Sequence, residues 1–294
     1  MPSWRFDAIG TRWAIDTESP LPAELRVAVT ETIERFDRQW SRFRTDSEVS
    51  RLATRGGTIA APEDAAEMLD AYRLLSAATA GAVNPLVGAS LSALGYDAGY
   101  SLSPGEATPA PPDWTTLLRW SADELVLDEP AIIDVGALGK GRMVARVLTV
   151  LAPLPGSVIV DAGGDMAARG DPVRVALEHP YDASRAIGVV ALQDAALCAS
   201  AVNRRAWGDG LHHVLDARTG VPVRTWAATW AIAQDAMVAD AVSTALFFDG
   251  GPELAAAWGV EWVRMTTDGR ADRSPGCPAE LFTARRSSGV PRRG

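Results

Sequence analysis

Apolar residues recur at steps of three and four over Leu25, Val29, Ile33, Phe36, Trp40 and Phe43, a spacing that predicts an amphipathic helix. Ahead of it, Trp4–Ile15 reads as a strand broken at Gly10-Thr11. Thr45-Asp-Ser-Glu48 has the form of a capping box and predicts a short helix through Leu52. Another helix is predicted from Pro62, a good first-turn residue, to Gly81, with Met68, Leu69, Tyr72 and Leu75 turned inward. The stretch opened by Gly81-Ala-Val-Asn-Pro-Leu-Val-Gly88 is irregular, and Pro104, Pro109, Pro111 and Pro112 keep it so; long loops of this kind are usually functional or disordered. Leu125–Leu127 and Ala131–Asp134, split by Asp128-Glu-Pro130, predict a hairpin, and Met143–Leu151 predicts a helix. A strand from Val158 ends in the turn Gly163-Gly-Asp165. Further strands are predicted at Val173–Leu177, Ile187–Leu192, Leu197–Ala199, Trp226–Ile232 and Val260–Met265, with a short strand entering a turn over His212–Gly220. Helices are predicted at Ala236–Phe248 and Glu253–Trp258. Strands and helices are grouped more than alternated, which favours α+β over a doubly wound sheet. The expected organisation is one domain over residues 1–282 and a polar, basic tail over 283–294.

Charge and composition narrow the function. A net charge of −9 argues against a general nucleic-acid binder, which needs a basic face. The start, Met1-Pro-Ser-Trp-Arg-Phe-Asp, has no apolar core like that of a signal peptide, and no later run is long enough to span a membrane. Cys198 and Cys277 stand far apart, outside any metal-type spacing. These features lead to the expectation of a reducing, cytoplasmic setting in which any metal is hard and oxygen-bound. His179, His212 and His213 are the only histidines, so acid–base candidates are few; His179 precedes Pro180 and reads as structural or solvent-facing.

The segment Asp134-Val-Gly-Ala-Leu-Gly-Lys-Gly141 stands out because Lys140 is the only lysine in the chain. An ammonium between two glycines, where a strand-like run passes into a helix, suits an anion site built from N–H groups and a helix N-terminus. It equally suits a strand-to-helix turn. It is not a nucleotide P-loop, since Gly141 stands where Ser or Thr would bind magnesium. On the apolar segment Ala236–Phe248, Asp240 and Thr244 are four apart and share a face. A buried carboxylate needs a partner, so Asp240 is either in an ion pair with an arginine, the commoner case, or in an oxygen-ligand metal site with Thr244. His212 and His213 point to opposite faces of a strand, and an imidazole near Asp216 suits a general base; a surface turn with a satisfied histidine explains the segment as well. Gly163-Gly-Asp165 is a tight turn or a place where backbone nears a ligand, with Asp165 accepting hydrogen bonds from it. Trp13, Trp40 and Phe43 read as core, or one of them as a platform for a flat ring.

In order and wording, these segments resemble the ApbE-type flavin transferases, the FAD:protein FMN transferase family. The resemblance runs from Gly10-Thr11 to about Asp249. It is carried by Ser41-Arg-Phe-Arg-Thr-Asp-Ser-Glu48, Gly81-Ala-Val-Asn-Pro85, the Asp134–Gly141 segment, Val160-Asp-Ala-Gly-Gly-Asp165, His213-Val-Leu-Asp-Ala-Arg-Thr-Gly-Val-Pro222 and Ala239-Asp-Ala-Val-Ser-Thr244. It implies an α+β fold related to the T-fold, with early helices packed on a strand-rich core. It implies a magnesium-dependent reaction that splits FAD, moves FMN to a Thr or Ser hydroxyl of a target protein with a Ser/Thr-Gly/Ala-Ala-Thr type motif, and releases AMP. By the same resemblance, Asp240, Thr244 and a backbone oxygen around Ala137 hold Mg²⁺, and Lys140 neutralises a phosphate. Phe43 lies against the isoalloxazine, and Ile9, Ala82, Val83, Asn84, Asp134 and Val214 line the FAD pocket. His213 is the base on the incoming hydroxyl. Departures are Asn84 for Asp, Ala201-Val-Asn203 after Ser200, Ala217 for Pro, and Ser243 where some members offer a carboxylate. Many bacterial members are lipoproteins; the lack of a leader and lipobox cysteine here leads to the expectation of targets in, or reachable from, the cytoplasm. FAD hydrolysis to FMN and AMP, and flavin binding without catalysis, are the alternatives.

Overall fold

The two-residue period of extended backbone sorts strand side chains between two cores. In the strand Ala195–Ala201, Ala196 and Cys198 are buried on one side, Leu197 and Ala201 on the other. Residues 1–282 are described by a computed structural model; the tail expected at 283–294 lies outside the described residues.

The chain opens with a hairpin, β1 (Ser3–Ala8) and β2 (Thr11–Thr17), and continues through α1 (Ala23–Trp40), α2 (Glu48–Arg55), β3 (Gly57–Ala60), α3 (Ala65–Ala78), α4 (Gly88–Ala93), α5 (Trp114–Leu117), β4 (Leu118–Trp120) and β5 (Glu124–Leu127). Helix α6 (Gly139–Val150) leads into β6 (Val158–Asp161), β7 (Asp165–Arg169), β8 (Val173–His179), β9 (Asp182–Leu192) and β10 (Ala195–Ala201). Short strands follow: β11 (Ala206–Trp207), β12 (Leu211–His212), β13 (Leu215–Asp216) and β14 (Val221–Pro222). The described chain closes with β15 (Trp226–Ala233), α7 (Ala236–Ala245), α8 (Gly251–Ala257), β16 (Glu261–Thr266), β17 (Ala271–Arg273) and β18 (Glu280–Leu281).

The main sheet has eight antiparallel strands in the order β1-β2-β6-β7-β10-β15-β16-β17. Helices α6 and α7 cover one face, where Met143, Val144, Val147, Ala239 and Ala241 meet Val158, Val160 and Cys198. The small sheet β18-β9-β8 covers the other, where Leu177, Val190 and Leu192 meet Leu197, Trp230 and Val263. The grouping of antiparallel strands and helices is the expected α+β class.

Several boundaries differ from the sequence pattern. Helix α1 ends at Trp40, where Ser41 turns extended, so Phe43 lies beyond it in a loop. The cap of α2 is Ser47, whose hydroxyl accepts from the Ser50 amide at 3.1 Å; Thr45 is not the cap. Helix α3 starts at Ala65 rather than Pro62. Ala131–Asp134 is not a strand. Both edges of β5 are already paired, to β3 and β4, so no ladder position remains for it. Instead the Asp134 amide donates to the Pro85 carbonyl at 2.7 Å, tying the segment to the irregular loop. Helix α7 stops at Ala245 instead of Phe248.

Candidate active site

The start of α6 is where the site is built. Helix α6 lies so close to α7 that a side chain at position 141 would strike the Ala236 carbonyl and Asp240. Glycine permits that approach. It also lets the Gly141 amide, one of the unpaired donors of a helix start, reach the Asp240 carboxylate at 2.8 Å. Asp240 is 1% exposed and has no ion pair with an arginine among the described residues, so the arginine partner considered from sequence is absent. Burial, then the nearby Asp165, pushes its carboxyl up to about 7 against the opposing pull of Lys140.

One turn on, the Thr244 hydroxyl donates to the Ala137 carbonyl at 3.2 Å. The Ala137 amide donates to the Tyr72 hydroxyl at 3.2 Å, and that hydroxyl donates to the Asp134 carbonyl at 3.0 Å. Tyr72 thus pins the loop that precedes α6. The Asp134 carboxylate accepts from Arg42 Nε at 2.5 Å and from the Gly136 amide at 2.8 Å. Arg42 Nη1 donates in turn to the Tyr96 carbonyl at 2.9 Å. Lys140 is in an ion pair with Asp165, which is fully buried at the start of β7. Burial alone would lower the Lys140 pKa, but Asp165 and Asp240 outweigh it and raise it.

Thr244 and the Ala137 carbonyl offer two oxygens to the larger cavity, and Asp240 adds a carboxylate one turn away on α7, so the donors available are all oxygen. Among the described residues no three His, Cys, Asp or Glu gather as a metal cluster. One carboxylate with neutral oxygens suits a hard cation that keeps part of its water. A divalent ion there would also favour the ionised form of Asp240, which burial disfavours. The residues therefore fit the ion that the resemblance implies.

Two cavities meet at this point. The larger, about 450 Å³, is lined by Ala82, Val83, Asn84, Asp134, Ala137, Lys140, His213, Val214 and Thr244, all expected site residues. The smaller, about 320 Å³, takes in Ile9, Phe43, Asp134 and Lys140 and is walled by Trp40, Tyr96 and Tyr100. Asp165 and Asp240 line neither; Asp165 is paired with Lys140, and Asp240 accepts from the Gly141 amide. Asp165 is thus a buried partner of Lys140 rather than a residue facing ligand space. Ile9 has φ 42°, unusual for a β-branched residue, and with Gly10 makes the tight β1–β2 turn at the cavity edge.

Three expectations change in detail. The Phe43 ring is not open: Tyr100 stacks on it at 5.1 Å and the Arg42 guanidinium lies 4.2 Å from its centroid. The Asn84 side chain is engaged in its own loop, donating to the Pro111 carbonyl and accepting from the Leu86 amide, both at 2.8 Å. The imidazole–Asp216 pairing is absent, because Asp216 binds the Arg218 guanidinium. His212 Nε2 lies 2.8 Å from the Val223 carbonyl and anchors the segment. His213 is left in the larger cavity with its buried Nδ1 unpartnered. Burial first, then Arg205 and Lys140, lower its pKa to about 3, so it is neutral at ordinary pH.

The site also contains Arg42, Tyr72, Tyr96 and Arg205, which sequence reasoning did not single out. Tyr72 shows in sequence only as a core position. Tyr96 lies in the irregular stretch, where periodicity is silent. Arg42 lies within a quoted motif and Arg205 just after one, but a sequence rich in arginine does not mark which of them turn inward.

Fold and site define a class: an antiparallel α+β protein in which a helix start and a lone lysine stand between an aromatic cavity and one lined by oxygen donors and a histidine. The chain belongs to the ApbE family, whose sequence profile matches residues 9–263. It is similar to a FAD:protein FMN transferase of Rhodobacter capsulatus, 28% identical over 240 residues, which are 74% of this chain and 45% of that protein. The chain thus spans about half the length of that curated relative. Its fold is that of the ApbE protein of Thermotoga maritima (TM-score 0.79, 22% identity, 93% of this chain and 97% of that one). It is equally that of the flavin transferase ApbE of Vibrio cholerae (TM-score 0.77, 21% identity, 93% and 97%). No helix among the described residues is long and apolar enough to cross a membrane.

Proposed function

We propose that this chain is a FAD:protein FMN transferase, moving FMN from FAD to a Ser or Thr hydroxyl of a target protein and releasing AMP. The observation that carries this reading is the meeting, in a member of the ApbE family, of Lys140 at the α6 start, Ala137, Thr244 and the unpartnered His213 around one cavity, with Asp240 buried against the same helix start. Phosphoryl transfer needs position and charge neutralisation more than covalent help from the protein. The positive end of the α6 dipole favours the pyrophosphate at the helix start. The aromatic wall of the smaller cavity suits a flat ring.

Mg²⁺ is the ion we assign to Asp240, Thr244 and Ala137; bound there, it supplies charge neutralisation to the phosphates. In the transfer, the target hydroxyl oxygen bonds to the FMN phosphorus and the pyrophosphate P–O bond breaks. AMP leaves with that bonding pair. His213, which lines the cavity and whose Nδ1 has no partner within the protein, is the residue we assign to take the hydroxyl proton.

The test is incubation with FAD and Mg²⁺, with and without a peptide carrying an Asp upstream of a Ser/Thr-Gly/Ala-Ala-Thr motif. The expected result is a peptide mass gain of one FMN with matching AMP. AMP and free FMN beside an unmodified peptide would replace transfer with hydrolysis at the same site. No AMP in either tube would leave a flavin-binding protein.

A further inference from the structure

Lys140 and Arg205 are the two cations that line both cavities. They are not equivalent. Lys140 is held by Asp165 and lies near Asp240, so protein carboxylates already neutralise it. Arg205 makes no ion pair among the described residues, whereas its neighbour Arg204 is engaged by Glu178 at 3.2 Å. Arg42 is likewise taken, by Asp134. Arg12 lines only the larger cavity and is exposed. Arg205 is half-buried, with its guanidinium 5.9 Å from the centroid of the buried Tyr96 ring. Tyr96 is itself shared by both cavities, so the pair stands at their junction. A half-buried arginine that lines both cavities, has no protein counter-charge among the described residues and holds its guanidinium near the shared Tyr96 ring suits bidentate contact with phosphate oxygens.

We infer that Arg205 is a phosphate-binding residue at the junction of the two cavities. It supplies the FAD pyrophosphate with the counter-charge that Lys140, paired with Asp165, does not. The inference rests on the reading that FAD spans this site. A dinucleotide with one half in each cavity carries its two phosphates between them, where Arg205 stands.

The test is calorimetric titration of the full chain and of Arg205→Gln with four probes: AMP, adenosine, FMN and riboflavin. The wild type should prefer the phosphorylated member of at least one pair. Arg205→Gln should weaken that mononucleotide by roughly 10- to 100-fold, the range of a charged hydrogen bond. It should leave adenosine and riboflavin unchanged, and Arg205→Lys should recover part of the loss. The pair that responds tells which phosphate Arg205 holds. The inference is overturned if the wild type shows no phosphate preference, if the preference survives in Arg205→Gln, or if all four probes weaken together, which would mean a structural role. AMP release from FAD by the wild type is measured separately. Arg205-dependent phosphate preference without AMP release would sink the transferase reading alone. AMP release with an unchanged preference would sink the Arg205 assignment alone.

Discussion

The Gly141 amide donates to the Asp240 carboxylate at 2.8 Å, across the contact between α6 and α7. This one bond explains two residue choices. Position 141 must lack a side chain for the helices to approach. Position 240 must be an acceptor for the amide that the helix start leaves unpaired. It also places the carboxylate against the turn that carries Lys140.

Gly141→Ala should therefore loosen the helix pair. The added methyl meets the Ala236 carbonyl, which belongs to backbone and cannot swing away. Overpacking of this kind costs about 1–3 kcal/mol. Urea unfolding should show that loss, and AMP release should fall with it. Full stability in the alanine variant would mean that α6 and α7 do not pack this closely.

Asp240→Asn keeps an acceptor for the Gly141 amide and removes the charge. The variant should fold, and it should lose the response to magnesium. In scanning calorimetry the wild type should gain thermal stability with millimolar Mg²⁺, as any ligand that binds the native state confers. The variant should show no gain, and its AMP release should drop more than about 100-fold, since metal-held charge neutralisation carries much of phosphoryl transfer. An unchanged Mg²⁺ shift in the variant would move the metal elsewhere.

His213 sets a pH signature on stability. Its pKa falls from 6.5 in the unfolded chain to about 3 in the native state, through burial first. The unfolded state thus binds the extra proton between these values, so this contribution to stability is lost as pH falls below about 6.5. His213→Gln should flatten that part of the stability–pH curve, measured by urea unfolding from pH 7 to pH 4. In NMR, the His213 ring resonances of the wild type should not titrate near 6.5. A normal titration there would mean that the ring is solvated.

Arg42→Met leaves Asp134 without its cation. The Arg42 side chain is 5% exposed and that of Asp134 14%. Removing one partner of such a pair costs about 3–5 kcal/mol. The same change also removes the guanidinium beside Phe43 and Tyr96. Denaturant unfolding should show the loss, and Asp134→Asn in the same chain should restore part of it. No loss of stability in Arg42→Met would make the pair a surface contact.

Much of the local structure was legible along the chain. The apolar steps of α1, the near-continuous apolar run of α7 and the alternating strands follow from periodicity, because helix and strand each repeat side-chain direction over a few residues. The ordered motifs also converge on the larger cavity: Ala82 and Val83, Ala137 and Lys140, His213, and Thr244 come from separate segments and line it together. The misread segments were those governed by distant partners. Ala131–Asp134 has strand-like composition but no free edge of β5 to join. Asp216 stood near the histidines in sequence, yet Arg218 claims it in space.

What the sequence determined by itself was the class of fold, the elements and the short list of chemical groups, since these depend on residue type and spacing within one segment. What only the tertiary structure decided was pairing. It gave Lys140 to Asp165, the Gly141 amide to Asp240 and Arg42 to Asp134, and it left Arg205 without a counter-ion among the described residues. Buried charges select partners by distance and desolvation, and both quantities come into being only when segments far apart in the chain pack together.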